Sequence, residues 1–445
     1  MTKDPGADHV DRRRLTIDLA FYAGCLIFAV VNTALAEFYG YRVWANFAVA
    51  GYGLALAHTI WLALSARRGV RPAGALGSRW IGIGAIGLFA MILPLGMLVI
   101  RRLTGVDWLI TPISWAAQPE VWVIERSAKL LLENGTPYID VTALGRAVEV
   151  NDYTPYGPVM TVFGLPRALF GGGPVADALT DARWMFALAA VACVLVSLKL
   201  LHWPKIPVSA AQLAMACPLT ALTWAVAGPD LAIVGLLVLS FALATTGRAI
   251  LAGLVLALVI SAKLIVAPAA VVLGVLLLTR RGPRALGGYA AALVVTTVVL
   301  HVPVYLVDPK AFVEHVFRFP MGIGVLKSPA ASPLPGHLIA SLGPVGTAIS
   351  FVLLGIAAVA ILIWLVRRPP ATGSDALLRM AVGLIALILL TPATRYGYLV
   401  YPLVLLGARL AFLADEHRLA GESREAAVVP GKGTAPPAQQ SATSS

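Results

Sequence analysis

Two polar segments interrupt an otherwise apolar chain of 445 residues, and they hold most of the groups able to do chemistry. The first, 101–158, carries Asp107, Glu120, Glu125, Glu133, Asp140, Glu149 and Asp152, interleaved with Trp108, Trp115, Trp122, Tyr138, Tyr153 and Tyr156. The second, 308–338, carries Lys310, Arg318, Lys327, His315 and His337 among prolines and glycines. A third spot, "TRYGYLVYP" at 394–402, sets Arg395 beside Tyr396, Tyr398 and Tyr401. Carboxylates thus come from one segment and cations from the others.

That division is what sugar transfer from a lipid-phosphate donor requires. A carboxylate takes the proton from an acceptor hydroxyl as it attacks the anomeric carbon. Cations and tyrosine hydroxyls hold the departing phosphate, whose charge grows in the transition state. The phosphate is already a good leaving group, so the second carboxylic acid of a glycosidase is not required. Glu120, Asp152 and Asp107 are the candidate bases, and Arg395, Lys263, Lys327 and Arg318 the candidate phosphate ligands. Trp122, Tyr138, Tyr153, Tyr156, Tyr396, Tyr398 and His337 are candidates for contact with sugar or lipid. The outer segments hold no DxD or HxxxH cluster, so neither a metal nor another cofactor is expected. Taken singly, most of these residues have plainer roles: outer-loop acids are solvated, and Trp, Tyr and Arg at membrane ends anchor or snorkel. Lys263 is different, because a charge inside the apolar run 249–278 is costly unless paired or solvated.

The elements that position these groups follow from composition. With 59% hydrophobic and only 13% charged residues, the chain is an integral membrane protein. Its apolar residues come in blocks, at 15–36, 44–66, 80–100, 184–201, 208–227, 231–245, 249–278, 286–307, 345–366, 376–390 and 398–413. An all-α polytopic bundle of 11 to 12 spans is expected, its number left open by the short block 156–170 and the long block 249–278. The net charge of +12 belongs to basic clusters flanking these blocks, which set topology and do not mark a nucleic-acid surface. Arg12–Arg14, Arg67, Arg68, Arg71, Arg79, Arg280, Arg281, Arg284, Arg367, Arg368 and Arg379 place both termini in the cytoplasm. The expected domains are a cytoplasmic segment 1–14, a membrane domain 15–415 with outer loops 101–155 and 308–344, and a disordered cytoplasmic tail 416–445. The basic–apolar–"ALAE" start resembles a signal peptide, but its apolar run is long enough to stay as a first span of a plasma-membrane protein. Cys25, Cys193 and Cys217 lie inside apolar blocks, as buried small hydrophobes do.

Within the first outer loop, "EVWVIERSAKLLLENG" has the spacing of an amphipathic helix lying along the membrane surface, with Val121, Ile124, Ala128, Leu131 and Leu132 near one face and Gly135 as its stop. "NDYTPYGP" at 151–158 then makes a stiffened elbow, expected to fold the loop back and to aim Asp152, Tyr153 and Tyr156 at the site.

Three segments, "PEVWVIERSAKLLLENGTPY", "DYTPYGPVMTVFGLPRALFG" and "RYGYLVYP", resemble glycosyltransferase family 87 of the GT-C superfamily. That family includes polyprenyl-phosphate-mannose-dependent mannosyltransferases of actinobacteria. The resemblance implies a GT-C-like bundle, a site at the outer face, a polyprenyl-phosphate sugar donor (typically of mannose), a lipid or glycan acceptor, and inversion at the anomeric carbon. It also implies a basic Asp just ahead of a Val-aromatic pair. Here the pair is Val121-Trp122, preceded by Gln118 and Glu120, and the Asp is absent. Glu120 can serve with a small shift of register, or Asp152 or Asp107 can take the role. The competing class is a transporter or lipid-linked-sugar flippase, with Lys263 as its intramembrane charge. The lack of an internal repeat and the two chemically loaded outer loops count against it.

Overall fold

The computed structural model describes residues 5–70, 72–105 and 115–428, with side chains from 12 to 422. Among them helices dominate, and the β contact is one isolated bridge between Ala331 and Thr394. Among the described residues nine helices are long and apolar enough to cross a membrane: Arg12–Leu35, Tyr39–Arg67, Trp80–Thr104, Pro174–Leu200, Leu264–Arg281, Pro283–Val307, Pro344–Arg367, Gly373–Leu390 and Tyr396–Glu422. A tenth forms if Val208–Ala216 and Pro218–Val226, bent by 43° at Cys217, count as one span. The chain is a multi-pass, all-α membrane protein. The gap to the expected 11 to 12 spans lies in two shorter apolar helices, Pro229–Thr245 and Ala249–Ala262.

Pro229–Thr245 is apolar all round and buried on every side, as a central helix must be. The long block 249–278 is two helices, because the backbone turns extended at Lys263 (φ −154°, ψ 124°) before Leu264–Val266 restarts it as a 3₁₀ turn. The short block 156–170 is no span. It forms a 3₁₀ turn, Pro158–Gly164, and a brief helix, Leu165–Phe170, in the outer segment. The last helix continues to Val428, through the first part of the segment read as a disordered tail.

Two large polar side chains of the second span find backbone partners inside the bundle, as an apolar medium favours. The third span and the bent pair at 208–226, which follows the fourth span in the chain, each widen into a π-helical turn, Gly87–Ile92 and Gln212–Ala216. Such turns leave carbonyls to spare. The Trp44 indole donates to the Ala90 carbonyl at 2.9 Å, and the Tyr52 hydroxyl to the Ala216 carbonyl at 2.9 Å.

The outer-loop helix forms as its spacing predicts, over Pro119–Asn134. Pro119 starts it, and Gly135 (φ +72°) stops it with its N–H on Leu131 O at 3.0 Å. Val121, Ile124 and Ala128 face the protein, but Leu132 points outward, 53% exposed. What fastens this helix is a buried ion network. The Arg102 guanidinium donates to Glu125 at 2.9 and 3.0 Å and to Asp181 at 2.5 Å. Arg183 donates to Asp181 at 2.9 Å and to the carbonyls of Ala116 and Ala225 at 3.0 and 3.3 Å. One cluster thereby ties the third span, the outer-loop helix, the cap of helix Ala182–Leu200 and the bent pair at 208–226 together.

The two outer segments zip to each other. The His315 imidazole, fully buried, accepts from Thr154 N–H at 2.8 Å and donates to Ile139 O at 2.8 Å. The Tyr153 hydroxyl donates to Glu314 at 3.0 Å, and its ring stacks on Phe319 with centroids 3.9 Å apart. Arg126 reaches over to the carbonyls of Asn151 and Asp152 at 2.7 and 2.9 Å.

Two outcomes follow from these contacts. Asp181→Ala should cost about 3–5 kcal/mol, because it removes the carboxylate that two buried guanidinium groups share; the check is the thermal midpoint in detergent, where no drop would discount the network. Burial pushes the His315 imidazole down to about 4 from the usual 6.5, so between these values the unfolded chain binds more protons. Loop docking is therefore complete above that window and is lost as the pH falls through it. Protease cleavage within 136–156 should rise accordingly, and should stay flat in His315→Gln; an equal pH slope in the variant would exclude His315 as its source.

Candidate functional site

The elbow "NDYTPYGP" docks on the break in the long apolar block. Gly157 N–H donates to Ala262 O at 3.0 Å, one residue before Lys263. A Cβ on Gly157 would sit 2.1 Å from the Ser261 carbonyl oxygen, so only glycine permits this approach. The Tyr138 hydroxyl donates to Tyr156 O at 2.8 Å and fixes the elbow from the other side. Tyr156 is thereby carried onto the Lys263 ammonium, its ring centroid 5.6 Å away.

Around Lys263 five separate stretches of chain meet. Its ammonium donates to Asp230 Oδ1 at 2.6 Å, and the Tyr401 hydroxyl donates to the same oxygen at 2.6 Å. Tyr398 and Tyr401 present ring centroids 4.6 and 5.8 Å from the ammonium, which an aromatic face attracts. A second ion pair, Arg395 to Glu120 at 2.8 Å, belongs to the same cluster, since Glu120 lies within electrostatic reach of Lys263 and Tyr156. Arg395 leads into the last helix, and Glu120 occupies the first turn of the outer-loop helix. That turn is pinned by Gln118, whose N–H donates to Val226 O at 2.8 Å and whose amide donates to the Tyr41 hydroxyl.

The cluster grades from open to closed. The side chains of Arg395 and Glu120 are 39% and 24% exposed, against 14% and 16% for Lys263 and Asp230. Two carboxylates, two cations and three tyrosines in one half-dry place can exchange a proton and hold an anion. Among the described residues no group of three or more His, Cys, Asp or Glu is placed to hold a metal ion.

The structure thus brings together Glu120, Arg395, Lys263, Tyr156 and Tyr398. Asp152 stands apart. Its carboxylate accepts from Arg146 at 2.6 and 2.8 Å and from Glu149 N–H at 2.8 Å, and the Arg146 bonds hold it below the usual carboxylate range. Tyr153 and Tyr138 are committed to fastening the loops, so of the three elbow groups only Tyr156 reaches the cluster. Arg318 pairs with Glu314 at 3.1 Å, Lys327 is exposed, and His337 donates to Pro392 O at 2.9 Å. Tyr396 is 46% exposed with its N–H on Ser332, while Trp122 lies under the Arg126 guanidinium at 4.8 Å. Asp107 and Trp108 lie outside the described residues.

Sequence reasoning missed Asp230, and it named Tyr401 beside Arg395 without giving it a role. A signal existed for Asp230: it is the only acidic residue between Asp181 and Asp308 in the sequence. A lone carboxylate among apolar blocks calls for a cation, and Lys263 is a lone cation in the neighbouring block.

Comparison with known proteins bears on the family of the chain and not on its site. The family model described as glycosyltransferase family 87 matches residues 153–392, which is more than half of the chain and takes in Tyr156, Asp230 and Lys263. No curated protein and no solved structure matches the chain. Glu120 and Arg395 flank the matched stretch, and their pairing joins both ends of it to the cluster. A membrane-embedded bundle with this polar cluster and a match of this extent belongs to glycosyltransferase family 87.

Proposed function

We propose that this membrane glycosyltransferase moves a hexose, mannose by preference, from a polyprenyl-phosphate donor to a lipid or glycan acceptor at the outer face of the plasma membrane, with inversion. The observation that carries the reading is the Glu120–Arg395 pair set beside Lys263 and its tyrosines. Glu120 is the base. It is the one candidate carboxylate of the described three segments that shares a cluster with both cations, and it is open enough for an acceptor to approach. Asp152, held by Arg146, acts as a brace for the elbow.

The acceptor hydroxyl oxygen attacks the anomeric carbon and forms the new glycosidic bond. The bond from that carbon to the phosphate oxygen breaks, and its electron pair leaves with the polyprenyl phosphate. Glu120 takes the hydroxyl proton. The phosphate, singly charged as a diester, gains a second negative charge as the carboxylate loses its own. Once protonated, Glu120 no longer claims Arg395, so the guanidinium turns its attraction to the phosphate at the moment that charge develops. Lys263 supplies the second cation and holds the phosphate from the moment the donor binds, so its worth shows mainly in donor affinity. Tyr398 offers a flat face for the sugar or its lipid, while Tyr156, buried beside Lys263, bounds the ammonium.

Turnover of polyprenyl-phosphate mannose by the full chain in liposomes, read as release of polyprenyl phosphate, tests this. Glu120→Gln should lower kcat by about 10²–10⁴-fold, the usual worth of a general base. Asp152→Asn should act on stability and leave most of kcat in place. Undiminished turnover in Glu120→Gln would remove the base. Movement of the intact donor across the bilayer with no release of polyprenyl phosphate would favour the carrier reading.

A further inference from the structure

Lys263 stands on an extended residue between two helices, at the end of a stem with four rotatable carbons. Left alone, such an ammonium samples many positions, and a phosphate ligand that wanders loses much of its worth. We propose that Asp230 and Tyr401 are positioning residues: together they lock the Lys263 ammonium at the helix break, turned towards the donor phosphate. This inference rests on the reading of Lys263 as a phosphate ligand.

The geometry has the features of a lock. Asp230 lies in the first turn of the central helix Pro229–Thr245, the most enclosed element of the bundle, so its carboxylate has a rigid base. Its Oδ1 receives the ammonium and the Tyr401 hydroxyl, each at 2.6 Å, which uses both lone pairs of that oxygen. Tyr401 is fully buried, and its hydroxyl therefore fixes the rotation of the carboxylate as well as its place. One ammonium proton goes to Asp230, and two remain for phosphate oxygens. The rings of Tyr398, Tyr156 and Tyr401 bound the ammonium at 4.6, 5.6 and 5.8 Å. A role as a second base fits less well, since Asp230 lies at the closed end of the cluster and Glu120 at the open end.

A mere staple between the central helix and Ala249–Ala262 is the alternative. Those helices already pack against each other, with Leu231, Val234, Leu256 and Val259 on them all buried, and a staple gains nothing from carrying charge into apolar surroundings. A staple also predicts loss of thermal stability without a change in donor affinity.

The test measures kcat and KM for polyprenyl-phosphate mannose, together with thermal midpoints, on the full chain in liposomes. Asp230→Asn should raise the donor KM by about tenfold, the scale of a lost hydrogen bond to a charged group, with kcat little changed. Lys263→Met should raise KM at least as much, and Asp230→Asn/Lys263→Met should be no worse than Lys263→Met alone, because the two act as one unit. Tyr401→Phe should give a smaller rise in the same direction, and it carries the test if Asp230→Asn does not fold. Unchanged KM in both single variants, multiplying effects in the double variant, or a fall in kcat at constant KM would each overturn the proposal. A wild-type chain that consumes no polyprenyl-phosphate sugar overturns the functional reading and this inference with it; normal wild-type turnover with unaltered Asp230→Asn and Tyr401→Phe overturns this inference alone.

Discussion

A charge in apolar surroundings must be answered by another charge, and the site is organised by that constraint. Lys263 cannot lie in the middle of a membrane helix without a partner, and no acidic residue lies near it in sequence. Its partner comes from Asp230 on the central helix, and the helix that carries Lys263 breaks to let the two meet. The break itself would expose backbone groups. The elbow repairs part of this, with Gly157 donating to Ala262 O. Pairing, helix break and elbow are therefore one structural solution to one energetic problem.

The same logic extends outward. Arg102, Glu125, Asp181 and Arg183 form a second buried network, whose carboxylates and guanidinium groups satisfy one another while fastening the outer-loop helix to the bundle. That fastening fixes the first turn of the helix, where Glu120 meets Arg395. His315 and Glu314 then clasp the far side of the loop. Enclosed and open charges are thus segregated: Arg102, Arg183, Glu125 and Asp181 are buried among their partners, while Glu120 and Arg395 keep an open side.

The amphipathic helix, with its proline start and glycine stop, was legible because local spacing and backbone chemistry decide it. So were the convergence of outer-loop carboxylate and distant arginine, and the weight placed on Lys263. Asp152 and Tyr153 looked like site residues because an acidic, aromatic, proline-stiffened turn has the right composition. Their partners Arg146 and Glu314 turn them to bracing, and nothing local distinguishes a bracing carboxylate from a reacting one. Asp230 was overlooked, and Tyr401 was named without a role, because each lies in an apolar stretch, one at a helix start and the other just inside the last helix.

By itself the sequence determined a polytopic helical membrane protein with chemically loaded polar loops, since apolar block length acts through local transfer energetics. It also determined that Lys263 needed a partner. Only the tertiary structure decided which carboxylate that partner is, that the 249–278 block breaks in two, and that Glu120 rather than Asp152 stands with the cations. Those outcomes depend on which residues distant in the chain come within about 3 Å of each other, and that is settled by packing of whole helices rather than by any local preference.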